Sequence, residues 1–387
     1  MLIKNKKFAQ YLSTFFLALG LVLVAPQYQA RATIVCEKYL VSADTTTPKR
    51  SLESMDDLKV GTFNVENLFM HLGHHEPAEG GSMRRMTPQK NKPINKIQGV
   101  ARAIMDMNLD IVVLEEVENI EALQELNAEF LEDRYTPVLV RGNDPRGIEV
   151  AFLVKKDLPF DIENFSFKNE TWVDPRNGSS RQTRLFSRDL PALIVRANGQ
   201  PKNSPPLFVF IGTHYKSKRA SNYAGSENRD PESGIVRGAQ VERTVDIIER
   251  LKAEYGKDLP ILIAGDFNGS VRFEPEFTPL RKRGNMTDAF DALKTKVSDV
   301  DRTTHVYYPD RNSEADQNQI DAVFVSPELK DQVIDAKVYR YKDPNGRPYP
   351  LPKTKKLRDR NPSDHWPVMV TLKFKPLRDR QGAAGRP

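Results

Sequence analysis

Apolar runs that stop on polar residues recur along this chain. The sharpest is Ile261-Leu262-Ile263-Ala264-Gly265-Asp266-Phe267-Asn268-Gly269. A short apolar run bounded by turn residues predicts a buried strand. Asp266 and Asn268 close it two residues apart, on one face of an extended chain. Lys59 to Leu68 repeats the pattern, with a polar end at Asn64-Val65-Glu66-Asn67, and Asp110 to Val117 ends on Glu115-Glu116. Leu190–Val195 and Leu207–Gly212 predict two strands joined through Asn198-Gly199, the second running into Thr213-His214-Tyr215-Lys216-Ser217-Lys218. Two further runs, Gln319–Val325 and Ser363–Val370, carry Asp321 and the pair Asp364-His365.

Helical spacing separates these strands. Ile94, Ile97, Val100, Ala101 and Ile104 predict a helix over Pro93–Met107, and Val241, Val245, Ile248 and Leu251 predict one over Ile235–Tyr255. Asn119 is placed to cap a third, ending near Phe130. Tyr135–Val140 and Gly147–Lys155 read as neighbouring strands around the Gly142-Asn143-Asp144-Pro145 turn. Strand, helix, strand in this order implies crossover units. The class is α/β.

The flanks read differently. Lys4, Lys6 and Lys7, an apolar stretch from Phe8 to Ala25, and Ala30-Arg31-Ala32 have the layout of a secretory signal peptide over residues 1–32. Residues 33–56 read as a polar linker and 376–387 as a flexible tail. Between them, 57–375 has globular texture and no internal linker. About 320 residues is long for one core, and two stacked sheets in one domain answer that.

A single cysteine excludes an internal disulfide, so packing alone must hold an exported fold. The net charge of +6 shrinks once the leader is set aside. Residues 1–32 hold four basic residues and no acid, so 58 basic residues become 54 against 52 acidic, or +2. Global charge therefore does not argue for nucleic acid. Any such argument must come from local patches.

The polar residues at strand ends are Asn64, Glu116, His214, Asp266, Asn268, Asp321, Asp364 and His365. Alone, each has an ordinary role, such as an Asx turn or a satisfied histidine. Together they sit where layered α/β folds assemble sites. Phe-Asn-Val-Glu-Asn at Asn64, Leu-Glu-Glu-Val at Glu116, Gly-Asp-Phe-Asn, Gln-Ile-Asp-Ala-Val and Ser-Asp-His-Trp-Pro-Val, in this order, resemble the ordered blocks of the endonuclease/exonuclease/phosphatase superfamily. That superfamily includes pancreatic-type deoxyribonucleases, abasic-site endonucleases, neutral sphingomyelinases and inositol-polyphosphate phosphatases. The resemblance implies a four-layer sandwich, two mainly antiparallel sheets with helices outside.

It also implies roles. Cleaving a phosphodiester needs an in-line nucleophile, charge neutralisation and help for the leaving oxygen. Carboxylate and amide oxygens select a hard cation such as Mg²⁺, and Mn²⁺ and Ca²⁺ meet the same requirement. The resemblance makes Glu116 the first ligand, with Asn64 and Asp364 beside it. The family carries Gln where this chain has Glu115, and the register then turns Glu115 to the opposite face of its strand. His365 contacts the phosphate or takes a proton from water, oriented by Asp321. Asp266 is the acid/base, Asn268 orients the phosphate, and His214 donates to a non-bridging oxygen. Whether Asp266 or His365 activates water is open at this stage. Arg188 and Arg237 resemble positions that brace the site or touch substrate, and Lys216 and Lys218 directly follow His214.

Residues 341–360 hold seven basic and two acidic residues between the Asp321 and Asp364 blocks. A basic rim beside a cation suits a polyanionic backbone read without sequence preference. The expectation is an exported, monomeric nuclease acting on DNA and also RNA, periplasmic or secreted, and free of the membrane once the leader is cleaved. A sphingomyelinase or phospholipase-type activity is the alternative, and it would favour an exposed aromatic hairpin that the sequence lacks. A phosphoinositide phosphatase fits less well, because the Asp321 block reads Gln-Ile-Asp. A non-catalytic module on the same scaffold would have lost some of the eight groups, and all are present.

Overall fold

Apolar runs fold as strands over Asp57–Leu68 (β1), Ile111–Val117 (β2), Phe208–His214 (β3), Ile261–Asp266 (β4), Asp321–Val325 (β5) and Val368–Lys373 (β6). The two long amphipathic stretches fold as helices, Ile94–Met107 (α1) and Ser233–Tyr255 (α2). The computed structural model describes residues 36–41, 46–70, 90–218, 232–308, 315–375 and 377–379, all within the compact unit Ala32–Pro387. The predicted signal peptide, residues 71–89 and most of the tail lie outside the described residues. Among the described residues, no helix is long and apolar enough to cross a membrane.

Two large sheets form. One runs Val333–Val338, β6, β1, β2, Glu149–Lys155, Tyr135–Leu139. The other runs Glu37–Leu40, Phe160–Ser166, Pro191–Ala197, β3, β4, β5, Thr287–Asp288. Each contains one parallel pair, β1 with β2 and β3 with β4, and the other pairings are antiparallel. Parallel neighbours need a crossover, and α1 and α2 supply them. The fold is the mainly antiparallel two-sheet α/β sandwich with outer helices that the resemblance implied.

Alternation decides which face each side chain takes. In β4, Leu262 and Ala264 join the core that also holds Val60 and Val113 of the other sheet. Ile261 and Ile263 pack outward with Val241, Val245, Ile248 and Leu251 of α2. In β3, a Cβ on Gly212 would meet Val150, Phe152 and Val113 at 3.0–3.1 Å, so this row faces the opposite sheet. Two residues on, His214 shares that inner face. The same period puts Asp266 and Asp321 between the sheets at the end of the core.

One boundary differs from the sequence reading. Glu37–Leu40 lies inside the stretch read as linker, yet pairs antiparallel with Phe160–Ser166. Its side chains are mostly exposed, so backbone hydrogen bonds hold it at the sheet edge with no apolar alternation to betray it. A second short pair, Thr171–Val173 with Gln182–Arg184, forms a separate hairpin.

Candidate active site

Three site residues stand side by side in one register row. His214 of β3 pairs with Asp266 of β4, and Asp266 pairs with Asp321 of β5. The close approach of β3 and β4 depends on Gly265, with φ +153 and a notional Cβ 1.8 Å from the Thr213 carbonyl oxygen. Phe267 points outward and is pinned among the rings of Tyr215, Phe277 and Phe324, with centroids 5.3–5.9 Å away. Such pairs are each worth about 0.5–1.5 kcal/mol beyond burial. They fix the turn that presents Asp266 and Asn268.

Asp266 is the hub. Its Oδ1 accepts the Asn268 backbone N–H at 2.7 Å, closing an Asx turn with Asn268 at φ 53. Its Oδ2 accepts from the Asn64 amide at 3.0 Å and the Asn268 amide at 3.1 Å. His214 Nε2 lies 3.5 Å from the same oxygen and His365 Nε2 lies 3.9 Å away. Burial pushes the Asp266 carboxyl up to about 7, against the pull of the His365 charge.

His365 is held on every side. Its Nδ1 sits 2.9 and 3.0 Å from the two oxygens of Asp321. Its backbone N–H donates to Ser363 Oγ at 3.0 Å, and that hydroxyl donates to the Asn64 carbonyl at 2.7 Å. Tyr341 donates its hydroxyl to the His365 carbonyl at 2.5 Å. Burial opposes a charge on the ring, but Asp321, Asp266 and Asp364 outweigh it and raise its pKa well above the ordinary histidine value. His214 goes the other way. Burial, with Arg188, Arg146 and His365 nearby, pushes it well down, so its ring is neutral.

A carboxylate cluster adjoins this hub. Glu116 sits at φ 66 in a bulge between Glu115 and Val117, and its Oε2 accepts the Asn67 N–H at 2.9 Å. Its neighbour Glu115 turns between the sheets, fully buried, where the Thr62 hydroxyl donates to it at 2.5 Å. Burial raises the Glu115 carboxyl well above its usual range. Protonated, it can stand where the family carries the neutral Gln. Burial, then Asp364 and Glu116, raise the Glu66 carboxyl, and Glu66 Oε2 is buried without a hydrogen-bond partner. Lys92 donates to the Glu66 carbonyl at 2.8 Å, with Lys96 Nζ 3.6 Å from the carboxylate. Asp364 stays ionised, because His305, His365 and Arg358 overcome its burial. Crowded hard oxygens with an orphaned buried acceptor are what a divalent cation neutralises. By the chemistry of their oxygens, Glu116, Asp364, Asn64 and Glu66 would hold one.

Glu66 and His305 are the site residues the sequence did not single out. Glu66 had a legible signal, two residues after Asn64 in the same block. His305 had none, since only the chain path brings it to Asp364, Nε2 to Oδ2 at 3.8 Å, with its ring 4.9 Å from that of His365.

The predicted substrate residues divide. Arg188 is buried, donates to the Tyr215 carbonyl and lies 3.4 Å from Asp144, close enough to feel Glu116 and Asp266. Lys216 is held by its backbone N–H on Gln240 at 2.8 Å. Lys218 and Arg237 are committed elsewhere. Lys218 pairs with Glu274. Arg237 spends its guanidinium on Glu276 at 2.8 Å, the Lys216 carbonyl at 3.1 Å and Ser233 at 3.0 Å. In this structure Arg237 braces α2, and Lys218 the segment after β3, against the segment after β4.

A two-sheet sandwich with an acid–imidazole hub beside an oxygen cradle defines a phosphoesterase class of protein. The chain belongs to the Endonuclease/Exonuclease/phosphatase family, whose profile matches residues 59–373. Enzymes of this family are metal-dependent phosphoester hydrolases. Among solved structures, the fold is similar to TDP2 from C. elegans, at 17% identity over 82% of this chain and 75% of that one, with a TM-score of 0.50. It is also similar to an endonuclease/exonuclease/phosphatase family protein from Bacteroides thetaiotaomicron, at 18% identity over 82% and 94%, TM-score 0.50. No curated protein matches the sequence.

Proposed function

We propose that this protein is an exported, Mg²⁺-dependent phosphodiesterase acting chiefly on nucleic acid, DNA first and RNA second, with little sequence preference. The observation that carries it is Asp266 itself. This carboxyl, pushed up to about 7, faces an imidazolium held by Asp321 and adjoins a cradle of oxygen donors.

A phosphate between these groups meets three kinds of help. The His365 Nε2–H neutralises a phosphoryl oxygen, while Asp321 fixes the tautomer through Nδ1. Neutral His214 and the Asn268 amide orient the phosphate by hydrogen bonds. Asp266 is near neutrality, as suits a group that takes a proton from water or returns one to the leaving oxygen. A divalent ion in the Glu116–Asp364 cradle supplies Lewis-acid charge neutralisation when bound.

The nucleic-acid reading rests on residues 341–360. Tyr341 and Arg358 tie this segment to the site, through the His365 and Val306 carbonyls at 2.5 and 3.1 Å. Arg347, Lys353, Lys355, Lys356 and Arg360 are exposed along it. A lipid substrate would favour clustered exposed aromatics. Among the described residues, the most exposed aromatics, Phe273 and Tyr349, stand far apart in sequence as single rings.

The test is one panel. Purified protein is incubated with supercoiled plasmid, RNA, sphingomyelin and a phosphoinositide, with Mg²⁺ and then with EDTA. Nicked or degraded plasmid that EDTA protects is the expected result. Hydrolysis of a lipid with plasmid and RNA untouched would overturn the substrate, and activity surviving EDTA would overturn the metal.

A further inference from the structure

His305 has no role in the reaction above, yet its ring lies 4.9 Å from that of His365. His305, Asp364 and His365 each offer one ligand atom, and these atoms lie within 4.8 Å of one another. Both imidazoles approach the same carboxylate, His305 Nε2 at 3.8 Å from Oδ2 and His365 Nε2 at 3.9 Å from Oδ1. The arrangement is fixed by backbone as well as side chains. His305 and His365 form an antiparallel bridge, and the Trp366 N–H donates to the Thr304 carbonyl at 2.8 Å. Asp321 occupies Nδ1 of His365, which leaves Nε2 for a ligand, in the carboxylate–histidine arrangement that supports a metal-bound imidazole.

We infer that His305, Asp364 and His365 form a second cation site, selective for a borderline-soft transition metal such as Zn²⁺, whose occupation withdraws His365 from the phosphate. Two imidazole nitrogens and one carboxylate oxygen suit Zn²⁺ and do not suit Mg²⁺, which prefers oxygen and keeps its waters. The neighbouring oxygen cradle of Glu66, Glu116 and Asn64, which shares Asp364 with this site, has the opposite preference. Zinc bonds of about 2.0–2.1 Å at tetrahedral angles put donors about 3.3 Å apart. The three ligand atoms, now within 4.8 Å of one another, reach that spacing with shifts of up to about 1.5 Å. Three protein ligands leave the fourth position to water or a substrate oxygen. Zn²⁺ is then an inhibitor that acts by taking the imidazole.

Calorimetric titration of the whole protein with Zn²⁺, in saturating Mg²⁺, tests this against His305→Phe, which keeps a ring on His365 and removes both nitrogens. One Zn²⁺ per chain is expected, bound at least tenfold more weakly by the variant. Co²⁺ added to the wild-type protein supplies a reading that needs no variant, and the intense visible absorption of a four-coordinate site with nitrogen ligands is expected. Equal Zn²⁺ affinity in His305→Phe, a weak six-coordinate Co²⁺ spectrum, or complete displacement of Zn²⁺ by Mg²⁺ would each overturn the site. These measurements use no substrate, so they stand apart from the outcome of the nuclease assay.

Discussion

At Asp266 and His365, two groups of opposite charge type are driven toward each other's working range by their surroundings. Asp266→Ala or His365→Ala is expected to lower turnover at least about 100-fold with the circular-dichroism spectrum unchanged. Near-wild-type rates in either variant would remove that residue from the chemistry. Asp321→Asn probes the support. It removes the charge that holds His365 protonated, so the falling alkaline limb of the pH–rate profile should move to lower pH. A lower rate with the limb in place would make Asp321 a packing residue only. Away from the site, burial pushes Glu149 up to about 8 although Gly142 donates to it at 2.7 Å. A carboxyl raised in the folded state lends stability that is full below its unfolded pKa and is lost as pH rises through the folded one. Glu149→Gln should therefore gain, relative to wild type, on the order of 2 kcal/mol between pH 5 and pH 9 by urea unfolding, a figure discounted from the full shift for water penetration. An identical pH dependence in both proteins would show that Glu149 ionises freely in the fold. The motif resemblance preferred Glu116 over Glu115, and in the structure Glu115 turns between the sheets while Glu116 sits in a bulge at φ 66.

Strand β4 shows how one element serves both fold and site. Its even positions bury Leu262 and Ala264 between the sheets and then present Asp266 in the same row. Gly265 is required by contact and by conformation alike, since any Cβ would strike the Thr213 backbone. Gly265→Ala should destabilise the protein by on the order of 3 kcal/mol and lower its Tm accordingly. An unchanged Tm would mean that β3 and β4 part more easily than their pairing indicates. The long runs and both long helices were legible, because burial enforces their periods. Glu37–Leu40 and the antiparallel pair His305–Tyr307 with Asp316–Asn318 were not. These are short, polar strands held by backbone hydrogen bonds, and backbone bonding leaves no mark on residue type.

For the whole molecule, the weak mature charge of +2 expected from the sequence means that affinity for a polyanion has to arise locally. Two or three phosphate contacts along 341–360 would weaken DNA binding about 12- to 40-fold between about 50 and 200 mM salt. Fluorescence anisotropy on Lys353→Ala/Lys356→Ala should show a shallower salt slope, and an unchanged slope would move the binding face elsewhere.

By itself, the sequence determined the α/β class and the strand ends that carry polar groups, because local period and motif order are written in consecutive residues. Tertiary structure alone decided that Lys218 and Arg237 meet Glu274 and Glu276, that Glu66 crowds Asp364, and that His305 reaches His365. The reason is physical. Partner choice among charged groups depends on distance and burial, and neither exists until the two sheets close on each other.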